Sequence, residues 1–238
     1  MSSYTWDSFW KDQRQSFNEM MRINTAYFCE KLSEKIEIEN GAEVLDYGCG
    51  PGFLVDCLKP GQLSITGADI NDFFLDECRR KHPSSLFVKI ETDLSVNWKI
   101  FHEALKDKKF DFIILLSITQ YFKDLRELED VITFLLRYTK IGGKIILADI
   151  VDSETSSLKD AWFLFLHCLR KGKVSLYFGF ISYLLFSEYR KISQNVKLLT
   201  ISRESLNQIA NNNKLDLMCV MGLTIQVSRK NYVMTRRL

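Results

Sequence analysis

The sequence carries almost no excess of charge. Its 32 Lys and Arg residues stand against 30 Asp and Glu residues, which gives a formal net charge of +2. Proteins that bind nucleic acid through the phosphate backbone usually show a clear basic excess, so the composition predicts no nucleic-acid partner. Hydrophobic residues make up 46% of the 238 positions, which is enough for one large folded domain with a sizeable core.

Cysteine and histidine lack the spacing of a metal site. No two of the six cysteines form a Cys-x-x-Cys pair, and the three histidines do not combine with them in any metal-ligand pattern. We therefore predict no metal and free thiols in a reducing compartment. The N-terminal segment carries acidic side chains and no apolar stretch of the signal-peptide type, so we expect a cytoplasmic protein.

Long apolar runs are also missing. Residues 155–190 contain two uncharged stretches, 161–169 and 174–187, and each falls far short of the roughly 20 residues that span a bilayer. The sequence therefore predicts no transmembrane segment.

An alternation of short apolar runs and amphipathic segments does stand out. Nearly continuous apolar runs are typical of strands buried on both faces, and so of a parallel sheet covered by helices. A short connection between the last two runs predicts an antiparallel pair. The Gly142-Gly143 pair is expected to end the helix before strand five. The predicted strands are 43–47, 63–68, 86–90, 111–116, 144–150, 215–221 and 231–235, and the predicted helices are 51–58, 72–81, 98–105, 125–138 and 202–211.

The chain is predicted to be a single domain over 1–238, with a helical cap at 1–39. Apolar residues at three- and four-residue steps predict that the cap is helical over about 5–37, before Asn40-Gly41 interrupts the pattern.

A glycine-rich loop follows the first predicted strand, with glycine at positions 48, 50 and 52. Glycine allows a tight turn and lets a ligand approach bare backbone. The dinucleotide fingerprint would place its third glycine at position 53, which is Phe53, and the Gly-Lys-Ser/Thr of a phosphate-binding loop is absent. Asp69 ends the second predicted strand, 19 residues after Gly50, where an acid can accept hydrogen bonds from ribose hydroxyls.

The stretch from Asp46 to Gly52, together with Asp69, resembles motif I and the following acidic position of class I S-adenosylmethionine (SAM)-dependent methyltransferases. Residues 110–122 are similar to the family's fourth strand and the loop after it, and residues 136–149 resemble its helix-to-fifth-strand segment. The match extends over about 40–150. It implies a Rossmann-like α/β fold with a seven-stranded sheet, mostly parallel with an antiparallel last strand, and helices on both faces. The implied cofactor is SAM, and the product is S-adenosylhomocysteine.

The resemblance also assigns residues to the cofactor. Asp46 and the glycine loop would line its methionine and ribose parts, Asp69 would hold the ribose hydroxyls, and Ile70 would pack on the adenine. Asp93 would face the adenine amino group, with Glu91 as the competing choice. The expected contacts are Asp46, Gly48, Cys49, Gly50, Gly52, Phe53, Leu54, Asp69, Ile70, Asp93, Leu94, Ser117 and Ile118.

A general base is needed only where the nucleophile carries a proton. Many relatives have a histidine a few residues after strand four, but this chain reads Thr119-Gln120-Tyr121-Phe122. The candidates are therefore His167, Tyr121 and Asp149.

A helical lid is predicted over 155–190, between strands five and six. The two uncharged stretches are expected to form helices joined by the basic turn at 170–173. As a substrate lid, the pair would turn an aromatic face inward. It could also be an added pair that buries its own core, or an interfacial hairpin that makes peripheral membrane contact through 161–187. The aromatic residues concerned are Trp162, Phe163, Phe165, Tyr177, Phe178, Phe180, Tyr183 and Phe186.

These features together predict transfer of a methyl group from SAM to an O, N or C atom of a small, lipophilic or aromatic acceptor. The alternatives are a non-catalytic SAM-binding partner subunit and an NAD-dependent oxidoreductase, which Phe53 disfavours. The Asn/Asp-Pro-Pro-aromatic motif of nucleic-acid methyltransferases is excluded, because the three prolines, at positions 51, 60 and 83, are isolated. The oligomeric state is not predicted.

Overall fold

A computed structural model describes residues 5–12, 18–58 and 62–237, without the side chains of residues 12 and 18. Seven strands form one sheet in the order β3-β2-β1-β4-β5-β7-β6. The strands are β1 (Glu43–Tyr47), β2 (Ser64–Asp69), β3 (Leu86–Lys89), β4 (Phe110–Leu116), β5 (Thr139–Ile150), β6 (Leu215–Cys219) and β7 (Lys230–Arg236).

The expected fold class is confirmed. Strands β1 to β5 pair in parallel, and β7 runs antiparallel to both β5 and β6. The central strand β4 is buried on both faces, as its continuous apolar sequence requires. The carboxyl ends of the parallel strands therefore meet at one edge, where open α/β sheets bind ligands.

Helices cover both faces of the sheet. One face buries a core that includes Phe101, Leu128 and Leu206, and the other buries Phe28, Leu54 and Leu75. The helices are α1 (Trp6–Asp12), α2 (Asn18–Lys35), α3 (Phe53–Cys57), α4 (Asp72–Lys81), α5 (Leu94–Leu105), α6 (Leu125–Leu136), α7 (Ser157–Arg170), α8 (Val174–Phe186), α9 (Glu188–Asn195) and α10 (Arg203–Asn212).

The glycine pair at 142–143 differs from its expected role. It lies inside β5, at a register shift opposite β4, and the preceding helix already ends at Leu136. A Cβ on Gly143 would stand 2.9 Å from the Lys140 carbonyl oxygen. The pair therefore accommodates a β-bulge, which sequence spacing alone does not distinguish from a helix stop.

The N-terminal cap forms two helices, α1 and α2, and residues 13–17 of the expected helix lie outside the described residues. Helix α1 packs against α9 through Trp6, Phe9 and Ile192. Lys11 on α1 forms an ion pair with Glu91 at 3.1 Å. The side-chain amide of Asn71 donates to the Trp10 backbone carbonyl at 2.7 Å. These polar contacts hold α1 against the loops that follow β2 and β3.

The segment after β5 forms the two expected helices, α7 and α8, and a third helix, α9, which the sequence did not indicate. Within the part of the chain that the structure describes, no helix combines the length and the apolar character needed to cross a bilayer.

Candidate cofactor and active site

The glycine loop between β1 and α3 is shaped by left-handed backbone. Gly48, Gly50 and Gly52 have φ angles of 85°, 48° and 80°. The amides of Gly48 and Cys49 both donate to the Ala68 carbonyl, at 2.7 and 3.1 Å, which ties the loop to β2. A Cβ on Gly50 would meet open space, so its bare backbone is accessible to a ligand.

Gly48 has a second constraint, which yields a prediction. A Cβ at this position would stand 2.8 Å from Cγ2 of Ile118. Gly48→Ala therefore combines left-handed strain with a clash, and we expect it to lower the free energy of unfolding by about 2–4 kcal/mol. Gly41→Ala is the matched control, because Gly41 has a similar φ of 82° and no atom near its Cβ position. We expect Gly41→Ala to lower the free energy of unfolding by about 1 kcal/mol. Urea titration of both variants measures the two losses. Equal losses of stability in the two variants would show that the Ile118 side chain moves aside at no cost in free energy.

Asp69 ends β2 beside this loop and is 8% exposed. One carboxylate oxygen accepts a hydrogen bond from the backbone N–H of Gly50 at 2.7 Å, and the other accepts one from the backbone N–H of Asn71 at 2.8 Å. Burial raises the pKa of Asp69, and these hydrogen bonds oppose that rise. The carboxylate therefore fixes the loop, and each oxygen keeps a lone pair with which to accept a ribose hydroxyl.

A cavity opens at the carboxyl ends of the parallel strands. Asp69 and Ile70 lie on one wall, Glu91 and Thr92 on another, and Trp10 from the N-terminal cap covers part of it. The expected cofactor residues that line it are Gly48, Gly50, Asp69, Ile70, Leu94, Ser117 and Ile118.

Asp93 is not among the residues that line this cavity. It is exposed, and its carboxylate accepts the Ser95 amide at 2.9 Å as the N-cap of α5. Because β3 ends at Lys89 and α5 begins at Leu94, Asp93 falls at the cap position and points its carboxylate at the helix. Glu91, the competing choice, does line the cavity.

A second cavity adjoins the first. The two share Met21, Gly48, Gly50, Leu116 and Ser117 as lining residues. Further polar groups come from α2 and from the loop before β7. The expected site residues in it are Asp46, Gly48, Cys49, Gly50, Phe53, Leu54, Ser117 and Asp149, and the additional polar ones are Asn24, Thr25, Thr224 and Gln226.

Two acids in the second cavity differ in their surroundings. Burial, with Asp69 nearby, raises the pKa of Asp46 to about 8. Burial also raises the pKa of Asp149, while Arg229 and a hydrogen bond from Ser117 lower it.

Gly52, an expected cofactor contact, lines neither cavity. A Cβ on it would meet the Cys78 sulfur at 2.8 Å, so this glycine allows α4 to approach closely.

Ser117 and Asp149 form an unusual pair at the ends of β4 and β5. Both are non-glycine residues with left-handed backbone, at φ angles of 59° and 65°. The Ser117 hydroxyl donates to Oδ2 of Asp149 at 2.8 Å, and Asn231 accepts the Asp149 amide at 3.0 Å. Oδ1 of Asp149 is buried, accepts no hydrogen bond from the described residues, and lies 3.9 Å from Nε of Arg229. Such strained backbone persists where the surrounding structure holds it, often at functional sites.

The other two candidate bases have different positions. Tyr121 lines the first cavity, and its ring lies 5.0 Å from that of Trp6 and 5.2 Å from that of Trp10. Burial and the neighbouring Tyr189 raise its pKa well above the ordinary value, which disfavours a role as a base. His167 lies outside both cavities, and its ring packs edge-on against Tyr27 at 5.5 Å.

The expected inward aromatic face of the lid is not observed. None of its eight aromatic residues lines either cavity, and four of them, Trp162, Phe163, Phe178 and Phe186, are exposed. The two helices pack instead against α2, through a small core that includes Met20, Leu164 and Cys168. The aromatic residues that line the cavities come from the N-terminal cap, β1, α3, α4 and the loop after β4, namely Trp10, Tyr47, Phe53, Phe74, Tyr121 and Phe122.

Sequence reasoning did not assign Met21 or Arg229 to the site, and it left open whether the cap residues Trp6, Phe9 and Trp10 close over the cofactor or only pack against the domain; Trp10 lines the first cavity. Trp10 and Met21 belong to a pattern that indicated an amphipathic cap, but the pattern does not tell which side chains face the cavity. Arg229 precedes β7 and forms an ion pair with the buried Asp160 of α7 at 3.1 Å. Within the described residues, no group of three or more His, Cys, Asp and Glu side chains is placed to hold a metal ion.

The sheet order, the bare glycine loop and the buried acid at the end of β2 define a Rossmann-like α/β protein with a ligand site at the carboxyl ends of its parallel strands. The family model described as "Methyltransferase domain" matches residues 17–217, so this chain belongs to that methyltransferase family. The resemblance found in the sequence is thereby confirmed, and SAM is the methyl donor that the family uses.

Curated relatives are distant and longer. The ribosomal protein L11 methyltransferase of Neisseria gonorrhoeae is 28% identical over 51% of this chain and 37% of that protein. The malonyl-[acyl-carrier protein] O-methyltransferase of Enterobacter lignolyticus is 23% identical over 62% of this chain and 53% of that protein. The chain thus spans between about a third and a half of the length of these relatives.

A solved structure with a similar fold is magnesium protoporphyrin IX methyltransferase from Synechocystis, which contains S-adenosylhomocysteine. The TM-score is 0.55 at 16% identity, over 97% of this chain and 92% of that one. At this identity the likeness confirms the fold.

Proposed function

We propose that this protein transfers the methyl group of SAM to a protonated oxygen or nitrogen of a small acceptor, with Asp149 as the general base. The observation that carries the proposal is the buried Oδ1 of Asp149. This oxygen accepts no hydrogen bond from the described residues, and Asp149 lines the second cavity, which adjoins the cavity that contains Asp69.

The residues around the first cavity fit the nucleoside part of SAM. Asp69 would accept the ribose hydroxyls, the Ile70 side chain would pack against the adenine, and Glu91 would accept from its amino group. The backbone of Gly50 leaves open space on the same wall. Asp46 would lie at the methionine end. The bound cofactor supplies a methyl group that its sulfonium charge has already activated.

The protein's contribution is position, exclusion of water and removal of one proton. Holding two reactants in line can lower a barrier by about 7–11 kcal/mol. Asp149 would remove the proton from the acceptor and return it to solvent after the product leaves. Its raised pKa suits that task, because a base works best when its pKa approaches the working pH.

The walls around this point support an acceptor with an apolar or aromatic body and one polar group. Met21 lines both cavities, and the rings of Trp10 and Tyr121 line the first. Thr224 and Gln226 offer hydrogen-bonding groups beside Asp149. Relatives named as O-methyltransferases, such as the Enterobacter protein, favour oxygen as the atom that is methylated.

The test is turnover with a panel of acceptors. We expect S-adenosylhomocysteine to form, by mass spectrometry, with phenols or hydroquinones of moderate size, and to form more slowly with small, highly polar alcohols. Equal rates on both groups would contradict the apolar acceptor. Tight SAM binding without product from any acceptor or added partner protein would instead favour a non-catalytic SAM-binding subunit.

A further inference from the structure

Helix α8 is exposed and carries no charge. Its 13 residues, Val174–Phe186, contain no acidic or basic side chain, and none of them is buried. Phe178 is 60% exposed and Phe186 is 80% exposed. A surface helix normally presents polar or charged residues to water, so an uncharged outer face of this length indicates an interaction surface.

Helix α7 adds an apolar stripe to this surface. Leu158, Trp162, Phe165 and Leu169 recur at steps of four, three and four residues, which places them on one helical face. Leu158 is 87% exposed and Trp162 is 57% exposed. This face is therefore left open by the fold.

The inward face of α7 is fixed. Asp160, Leu164 and Cys168 are buried at four-residue spacing. Asp160 accepts from Ser228 and is paired with Arg229 at 3.1 Å. A rigid attachment on one side means that the apolar stripe on the other side is a stable feature of the surface.

The two helices form one continuous patch. The ring of Phe165 on α7 lies 5.3 Å from that of Tyr177 and 6.4 Å from that of Phe178 on α8. We call this surface the hairpin patch and define it by its exposed members, Leu158, Trp162, Leu169, Phe178, Leu185 and Phe186.

The exposed charges of the hairpin itself are basic. The turn between the helices contains Arg170, Lys171 and Lys173, all exposed. Residues 157–187, all of which the structure describes, contain a single acid, the buried Asp160. The hairpin itself therefore combines apolar side chains with cations and carries no exposed anion, while the exposed Glu30 of α2 lies near Lys171 and Glu188 follows at the start of α9.

We propose that the hairpin patch docks on an anionic lipid bilayer, with its aromatic and aliphatic side chains among the acyl chains and the basic turn at the headgroups. Trp and Phe opposite Lys and Arg are typical of interfacial helices, which lie on a membrane without spanning it. This proposal is independent of the methyl acceptor.

The test is co-sedimentation of the full chain with vesicles. We expect binding to vesicles of phosphatidylcholine with phosphatidylglycerol, and weaker binding to vesicles of phosphatidylcholine alone. Phe178→Ser should weaken partitioning at least about tenfold, since a buried phenyl group is lost from the membrane. Lys171→Gln should weaken it about fivefold, and raised salt should have the same effect.

Two matched controls separate these effects from general changes. Ile141→Ser removes an exposed apolar side chain near the start of β5, whereas the hairpin follows the other end of this strand. Lys81→Gln removes an exposed cation at the end of α4. Both should bind like the wild type. Absence of wild-type binding to the anionic vesicles would overturn the proposal, as would binding that Phe178→Ser leaves unchanged in a protein with wild-type circular dichroism. Lipid-free dimers that Phe178→Ser dissociates would also overturn it, in favour of a second copy.

Discussion

Replacing Asp69 with asparagine is expected to weaken SAM binding by about a hundredfold or more. Hydrogen bonds to a charged group contribute roughly 1.5–3 kcal/mol each, and the ribose would lose one such acceptor outright and meet only a neutral carbonyl oxygen at the other. The change also weakens the support of the loop, because the carboxylate accepts the Gly50 and Asn71 amides through different oxygens. The asparagine carbonyl oxygen can accept one of these hydrogen bonds, and the amide nitrogen cannot accept the other. Calorimetric titration with SAM measures the effect directly.

Asp93→Ala is the control for this experiment. Asp93 was an expected cofactor contact, but its carboxylate caps α5 outside the cavity. We expect unchanged SAM affinity and a loss of about 1 kcal/mol in stability from the missing cap. Glu91→Ala should weaken binding instead. Unchanged affinity in Asp69→Asn would contradict the ribose role, and a large loss in Asp93→Ala would return the adenine contact to that residue.

The fold was largely predictable because its determinants are local or repeat along the chain. The continuous apolar sequence of β4 indicates burial on both faces, and the loop from Gly48 to Gly52 indicates where a ligand meets bare backbone. Ser202 caps α10 by accepting the Ser205 amide, as an N-cap serine should. Each of these features depends on residues that are close together in the sequence, so one amino-acid sequence is enough to predict it.

Features that depend on long-range packing were not predictable. Glu91 and Asp93 both lie between the end of β3 and the start of α5, and the sequence marks the end of β3 too weakly to tell which of them faces the cavity. The aromatic residues of α7 and α8 show periodicity, but periodicity does not tell which face meets the protein. The packing of α2 against these helices determines which face is buried. It buries Leu164 and Cys168 and leaves Trp162 exposed to solvent.

Backbone strain at Ser117 and Asp149 was also invisible in the sequence. Their positive φ angles arise where β4 and β5 end side by side, a relation that only the folded sheet creates. Asp tolerates the left-handed region better than most residues, and Asn tolerates it equally well. Asp149→Asn should therefore keep the local backbone, while it removes the ability to accept a proton and the negative charge beside Arg229.

Asp149→Asn is expected to lower turnover by about a hundredfold or more, with SAM affinity nearly unchanged. In the wild type, activity should rise with pH as Asp149 ionises, and burial places this rise above the pH at which a free Asp titrates. Ser117→Ala should move the rise to higher pH, because the Ser117 hydroxyl stabilises the carboxylate. His167→Phe is the control and should leave the pH profile unchanged, since His167 lies outside both cavities. An unchanged rate in Asp149→Asn, or a profile that follows His167, would exclude Asp149 as the base.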